Sequence, residues 1–315
     1  MQGNFKARLG SGVAMHAFTQ LANGVFAFLQ ECRIWYSNAG VIVSDGNALV
    51  IDSLTNKAMA DTFLSEIQRV TDKRIAFVIN THSHPDHTLT NHLFSSATTI
   101  CSRAGRKWSE RFLSKQDVLL RKFAEFFPDI SFEGSKYTLQ NLTFEKELSF
   151  FRNNGEIRLI ELGPGHSESD VVVYLPQEKI VFCGDVFMNG LPPLPSEGHM
   201  SSTIANLMRL ESLNADIYVP GHGEIGRLKD IVEYRCLMES IQAQARTRFD
   251  KGLSYDQAVQ SFASGGIPLP FIKPSLLSCY YEFSGQQPAS QRPADIDHLQ
   301  LLRDVAEEAK RSRIQ

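Results

Sequence analysis

The 315-residue chain has no run of the 18 or so apolar residues that a membrane-spanning helix needs, and its N-terminal stretch MQGNFKARLGSGVAMHAF lacks the apolar core of a secretory signal. Its five cysteines, Cys32, Cys101, Cys183, Cys236 and Cys279, are scattered singly with no C-x-x-C pair. An odd, dispersed set does not read as a disulfide framework, so a reducing, cytoplasmic setting is expected. Positive charge is not in excess: 32 Lys and Arg against 35 Asp and Glu leave a net charge of −3. Without a global basic field to hold a polyanion by counterion release, nucleic acid is not an expected partner, and neither is a membrane. With 43% hydrophobic and 21% charged residues, and with 21 Gly and 13 Pro spread along the chain, low-complexity, collagen-like and wholly disordered classes are excluded.

What is present reads as an ordinary α/β chain. GVFAFLQ and WYSNAGVIVSDGNALVIDS suggest short antiparallel strands, with Asp45-Gly46 as a hairpin turn. Residues 56–70 place Met59, Phe63, Leu64, Ile67 and Val70 at helical spacing, and IAFVIN follows as a buried-type strand, which makes a β-α-β unit. A helix is expected to open near residues 89–94, and residues 105–127 read as helical. LTFEKELSF, EIRLIELG, DVVVYLP and KIVFCGD then read as strands, followed by a helix over 202–213 and a last strand, DIYVP. The order of sheets and helices suggests a four-layered αββα sandwich over residues 1–226. Helices at 228–249, 254–262 and 273–283 form a helical extension over 227–315, with a polar linker at 284–295 and an amphipathic helix, HLQLLRDVAEEAKR, behind it. LLSCYYEF, residues 276–283, is apolar enough to cover the core or to form a homodimer face, and core packing is the safer expectation.

Nine histidines are unremarkable as a total, but their placement is not. His82-Ser83-His84-Pro85-Asp86-His87 matches H-x-H-x-D-H, which this composition yields by chance roughly 4 × 10⁻⁴ times. On an extended strand end His82 and His84 point to the same side, while Asp86 and His87 begin a turn and reach a neighbouring point, so one segment can serve two metals. Imidazole and carboxylate suit zinc, with iron, manganese and nickel competing for the same donors. Two divalent ions roughly 3.5–4 Å apart would share a water, lower its pKa and polarise a carbonyl or phosphoryl oxygen. His166 in GPGHS, Asp185 in FCGDVF and His222 in VPGHGE each follow an apolar strand and are flanked by glycine. Asp52, ending VIDS, is a candidate carboxylate behind a ligand histidine or an ordinary turn residue.

THSHPDH, GPGH, GD and PGHG, in this order and spacing, resemble the signature of the metallo-β-lactamase superfamily, over about residues 18–226. The resemblance implies an αββα sandwich with the site along one edge between its sheets. It implies that His82, His84 and His166 bind a first zinc, that Asp86, His87 and His222 bind a second, and that Asp185 bridges both. Asp86 would also orient a metal-bridging hydroxide and carry a proton to the leaving group. Where many members carry a glycine pair this chain has Leu89-Thr90, so the helix entrance is expected to pack differently. The implied activity is a dinuclear metallohydrolase acting on a small ester-like substrate: a lactone, a thioester or a β-lactam-type amide. A mononuclear iron enzyme resembling the persulfide dioxygenases and a glyoxalase-type thioesterase are the alternatives. Asp185 and His222 lie only 37 positions apart, which leaves no room for the added domain of nuclease members. The Pro- and Gly-rich loop VFMNGLPPLPSEGHM is expected to form a wall over the metals or a structural crossover, and His199 within it is not an expected ligand.

Overall fold

The computed structural model describes residues 16–152, 155–195, 197–262, 269–286 and 303–308. The linker beyond residue 286, His298 and the N-terminal segment lie outside these. Four layers are present. The first sheet has seven strands in the order β1 (His16–Ala22), β2 (Val25–Gln30), β3 (Ala39–Val43), β4 (Ala48–Ile51), β5 (Ile75–Ile79), β6 (Thr98–Ser102) and β7 (Leu142–Phe144). Its first four strands pair antiparallel, and β4 through β7 pair parallel. The second sheet runs β12 (Ile217–Gly223), β11 (Ile180–Asn189), β10 (Asp170–Leu175), β9 (Gly155–Gly163) and β8 (Glu147–Arg152), with β11 and β12 parallel.

Alternation along each strand decides which layer a side chain enters. In β4, Leu49 and Ile51 enter the core between the sheets, whereas Ala48 and Val50 face the outer helices. In β10, Val171, Val173 and Leu175 meet that same inter-sheet core, and Val172 and Tyr174 face the opposite helical layer. Because both faces are covered, these strands read as continuous apolar runs, ALVI and VVVYL. Each fully buried Leu, Ile or Val contributes about 1.5–3 kcal/mol, so the inter-sheet core holds the two sheets in register.

Helix α1 (Lys57–Val70) covers the first sheet through Ala60, Phe63 and Ile67. It starts where the Asn56 side chain accepts from Met59 N at 3.0 Å. The stretch expected to be helical over residues 105–127 consists of α3 (Arg103–Leu113) and α4 (Gln116–Phe126). Between residues 85 and 94 the chain forms α2 (Pro85–Thr88) and then a 3₁₀ turn, Asn91–Phe94. Leu89, fully buried with Trp35, Trp108 and Phe112, takes the place at which a glycine pair would leave a gap.

On the second sheet, α5 (Met200–Ser212), α6 (Leu228–Asp250), α7 (Tyr255–Ser261) and α8 (Leu269–Phe283) share one apolar cluster with β10 and β11. Leu276, Cys279 and Tyr280 are buried in it, so LLSCYYEF packs on the core. Residues 303–308 are helical, and Val305 is fully buried among Met188, Leu191 and Leu194, with Cys32 and Ile34 beside them. Among the described residues no helix is long and apolar enough to cross a membrane.

Two expectations are corrected. LTFEKELSF is not one strand: β7 belongs to the first sheet and β8 to the second. The chain changes sheets at Lys146, which takes φ 65° and exchanges backbone and side-chain hydrogen bonds with Glu161. Periodicity is blind to such a step, because both halves alternate correctly on either side of it. In addition, β11 and β12 do not stop at the expected places, Asp185 and Pro220, but run on to Asn189 and Gly223. Asp185 and His222 lie within them, at places where the parallel register shifts.

Because Lys146 is exposed and left-handed, Lys146→Gly should leave stability unchanged or raise it by up to about 1 kcal/mol in urea unfolding, the strain relieved roughly offsetting glycine's added chain entropy. Lys146→Pro, which forbids that φ and removes the N–H to Glu161, should lower stability by more than about 1 kcal/mol.

Candidate metal centre

Parallel strands end on the same edge, and both sheets here bring parallel pairs to one place. β4 delivers Asp52. β5 leads into Asn80, Thr81, His82, Ser83 and His84, and α2 carries Asp86 and His87. β11 and β12 contribute Asp185 and His222, and the turn between β9 and β10 contributes His166. All seven residues expected as metal ligands meet. His82, His84 and His166 form one group, Asp86, His87 and His222 a second, and His82, His87 and Asp185 a third between them, with the donor atoms of each group within 4.8 Å of one another. Asp185 Oδ2 lies 3.3 Å from His166 Nε2 and 3.4 Å from His222 Nε2, and its Oδ1 lies 3.2 Å from His87 Nε2.

The outer nitrogen of each histidine has a partner that fixes which nitrogen faces inward. His87 Nδ1 donates to Asp52 Oδ2 at 2.8 Å. Thr81 Oγ1 gives its proton to Asp52 Oδ2 at 2.7 Å, so it is left to accept from His82 Nδ1 at 3.1 Å. His166 Nδ1 donates to Leu194 O at 2.7 Å, and His222 Nδ1 to Arg33 O at 2.9 Å. Nε2 therefore faces inward in all four. His84 is reversed: its Nε2 lies 3.3 Å from Glu197 Oε1, and its Nδ1 faces His166 Nε2 at 2.9 Å. Of the convergent atoms, His82 Nε2 is buried with no hydrogen-bond partner, and His87 Nε2 and Asp185 Oδ1, also buried, face only each other at 3.2 Å. Buried nitrogen and oxygen donors pointing at one spot are what a divalent cation requires.

The profile of the metallo-β-lactamase superfamily matches residues 33–222, more than half of the chain. The chain belongs to that superfamily. It is 23% identical over 250 residues to the linear primary-alkylsulfatase of Pseudomonas sp. (strain ATCC 19151), covering 67% of this chain and 47% of that protein. It is 24% identical over 196 residues to the metallo-beta-lactamase type 2 of Bacillus sp. (strain 170), covering 60% of this chain and 68% of that one. Among solved structures, a stereoselective inverting sec-alkylsulfatase from Pseudomonas sp. matches with a TM-score of 0.67 at 15% identity, over 90% of this chain and 52% of that one. A metallo-β-lactamase from Pontibacter korlensis matches with a TM-score of 0.56 at 18% identity, over 71% of this chain and 99% of that one. The chain thus spans about half the length of the alkylsulfatases it matches. Superfamily membership and the His/Asp cluster together fit the binding of metal ions at this edge.

The seven residues expected from the sequence do converge, but most of the groups that support them were not expected. Leu194 and Arg33 act through backbone carbonyls, which no side-chain pattern announces. Glu197 and Trp108, whose Nε1 donates to Glu197 Oε1 at 2.6 Å, come from a Pro-rich loop and from α3. The SEGH stretch held the one acidic residue that signalled the former. His199 is the N-cap residue of α5 and stands outside the cluster, as expected, and His92 faces Lys136 O. Glycine clears space at Gly221, where a Cβ would sit 1.8 Å from Asp185 Oδ1.

Burial and charge act against each other across the cluster. Burial pulls His87 down, but the carboxylates of Asp185, Asp86 and Asp52 outweigh it and hold the ring well above its ordinary value. His222 is likewise pulled down by burial, yet Asp185 and Asp86 raise it to about 9. Burial, reinforced by the neighbouring His87 and His84 charges, lowers His82. His166 drops to about 4, again chiefly through burial. Burial raises Asp185, but the histidine charges of His222, His87 and His166 take it well below the usual carboxylate range.

In chelator-stripped protein at pH 7, His222 therefore holds a proton that an incoming cation must displace. Titration of Zn²⁺ at pH 7 in buffers of different ionisation enthalpy should show release of at least one proton per chain, and affinity should rise with pH toward about 9. No proton release would contradict this arrangement. The same group, raised from 6.5 to about 9 on folding, stabilises the stripped protein fully below 6.5, and that contribution is lost as pH rises through about 9. Gly221→Ala should displace Asp185 and weaken metal binding ~10-fold or more in chelator competition.

Proposed function

We propose that the protein is a dinuclear zinc hydrolase that cleaves a small ester-like bond, in a lactone, a thioester or a β-lactam-type amide. The observation that carries this reading is the set of buried inward donors, His82 Nε2, His87 Nε2 and Asp185 Oδ1, which have no partner outside the cluster and lie where two donor triplets adjoin. In it His82, His84 and His166 hold one ion, Asp86, His87 and His222 hold the other, and Asp185 faces both. Nitrogen and oxygen donors without cysteine suit zinc, and such ions supply Lewis acidity and lower the pKa of water toward about 7.

The chain's own groups do the rest. The side chains of His87 and His222 are 0% and 3% exposed, whereas Asp86 is 14% and His84 16% exposed, so a substrate meets the cluster on the Asp86 and His84 side. Asp86 Oδ2, held 3.2 Å from His222 Nε2, is poised there to hold a proton and pass it to the leaving group. Trp108, its ring 5.7 Å from that of His84, gives that approach an apolar wall.

A second reading, an alkyl sulfate ester as substrate, is favoured by the reach of the sec-alkylsulfatase likeness. At 90% of this chain it extends into the helices beyond residue 226. One experiment tests both readings: metal content by mass spectrometry, with turnover on a panel of lactones, thioesters, β-lactams and alkyl sulfates. Two zinc ions per chain are expected, and Asp86→Ala should lower kcat by about 10²–10⁴-fold on whichever class is turned over. One iron per chain with oxygen-dependent turnover would overturn the hydrolase reading, and an Asp86→Ala variant of unchanged activity would overturn the role given to Asp86.

A further inference from the structure

Glu197 is a carboxylate 8% exposed, beside the candidate site, and the proposed mechanism gives it no role. Both of its oxygens are committed. Oε1 accepts from Trp108 Nε1 at 2.6 Å and faces His84 Nε2 at 3.3 Å, and Oε2 accepts from the Glu168 backbone N–H at 3.1 Å. Trp108 is itself immobilised, stacked on Phe112 with ring centroids 5.2 Å apart, and its ring lies edge-on to His84 at 5.7 Å. Glu168 is tied to α3 by Arg111 Nη2 at 2.5 Å. The carboxylate is therefore aimed rather than loosely placed.

We infer that Glu197 is the positioning residue that fixes His84 as an Nδ1 donor toward the first metal position. This inference rests on the metal-centre reading above. A carboxylate accepts hydrogen bonds and cannot donate, so the ring atom facing it must carry the hydrogen. With Nε2–H turned to Glu197, the lone pair of Nδ1 faces His166 Nε2 at 2.9 Å and joins the first triplet. The other tautomer would set the Nε2 lone pair against Glu197 Oε1 in a water-poor site, where such repulsion is poorly screened. In the first triplet the other two outer nitrogens meet only neutral acceptors, Thr81 Oγ1 and Leu194 O. Glu197 is the carboxylate behind that triplet, as Asp52 is behind His87 in the second. Each triplet thus carries one histidine made more basic by an anion, and the chain draws the two anions from opposite sides of the site: one from the end of β4, the other from the loop after β11.

The test uses the full chain with Zn²⁺ and Co²⁺ as probes. Glu197→Gln preserves size, but whichever way its amide is turned, one NH₂ opposes a donor: either Glu168 N–H, or Trp108 Nε1–H and His84 Nε2–H. Competition against a chelating fluorophore should show one ion bound about 10–100-fold more weakly and the other within about 3-fold of wild type. The visible spectrum of the first-bound Co²⁺ should shift, and the stripped protein, although less stable than wild type because of the opposed buried donor, should stay folded at the assay temperature. Trp108→Phe, which removes one donor and keeps an aromatic side chain, should give a smaller loss, and Glu197→Asp, one methylene short, should not rescue. Histidine ¹⁵N shifts of zinc-loaded wild type, which need no variant, should report Nε2–H for His84 and Nδ1–H for His82, His87, His166 and His222. Wild-type uptake of both ions with an unaltered Glu197→Gln variant, or an Nδ1–H His84, would overturn this inference alone. Wild-type protein that takes up neither ion would overturn the metal reading and this inference with it.

Discussion

The Asp52 carboxylate is the knot on which the site depends. It accepts from Thr81 N at 2.8 Å, Thr81 Oγ1 at 2.7 Å and His87 Nδ1 at 2.8 Å, and so joins the end of β4, the end of β5 and helix α2. Reaching that position puts Asp52 at φ 58° and Leu54 at φ 77°, conformations that cost of order 1–3 kcal/mol each. Hydrogen bonds to a charged group contribute about 1.5–3 kcal/mol apiece, so three of them offset the strain. A flexible carboxylate in its place would leave His87 free to turn and Thr81 free to present its hydroxyl differently to His82.

The second sheet and its loops complete what the first begins. Asp185 reaches the cluster because β11 kinks at Gly184, φ 52°, against Thr81, and because Gly221 in the paired strand leaves room for its oxygen. The Pro-rich loop after β11 acts at two points, through the Leu194 carbonyl on His166 and through Glu197 on His84. Arg33, in the loop between β2 and β3, performs the corresponding service for His222. Val305 is buried between Leu194 and Ile34, so residues from the far end of the chain brace both loops at once.

Much of this was legible in the sequence. The alternation in ALVI and VVVYL, the helical spacing of residues 56–70 and the apolar runs before each histidine or aspartate motif report local geometry, which is what period-2 and period-3.6 patterns measure. The strand change at Lys146 was not legible, because a left-handed residue between two correctly alternating halves leaves the pattern intact. Asp185 was expected at the end of its strand and His222 beyond its own, but glycines allow β11 and β12 to continue through them with shifted register.

The chain by itself determined which residues are the candidate cation ligands. H-x-H-x-D-H and three glycine-flanked single residues are chemically specific, and strand-end placement follows from the hydrophobic pattern. Only the tertiary structure decided how those residues are held: which nitrogen each imidazole turns inward, which carboxylates stand behind His84 and His87, and which backbone carbonyls serve His166 and His222. The reason is that these supports lie tens to hundreds of positions away from the histidines they hold, and half of them are main-chain atoms. A carbonyl carries no residue identity, and a lone glutamate in a proline-rich loop has no periodic neighbours. Their roles arise only where two sheet edges and a loop are packed together.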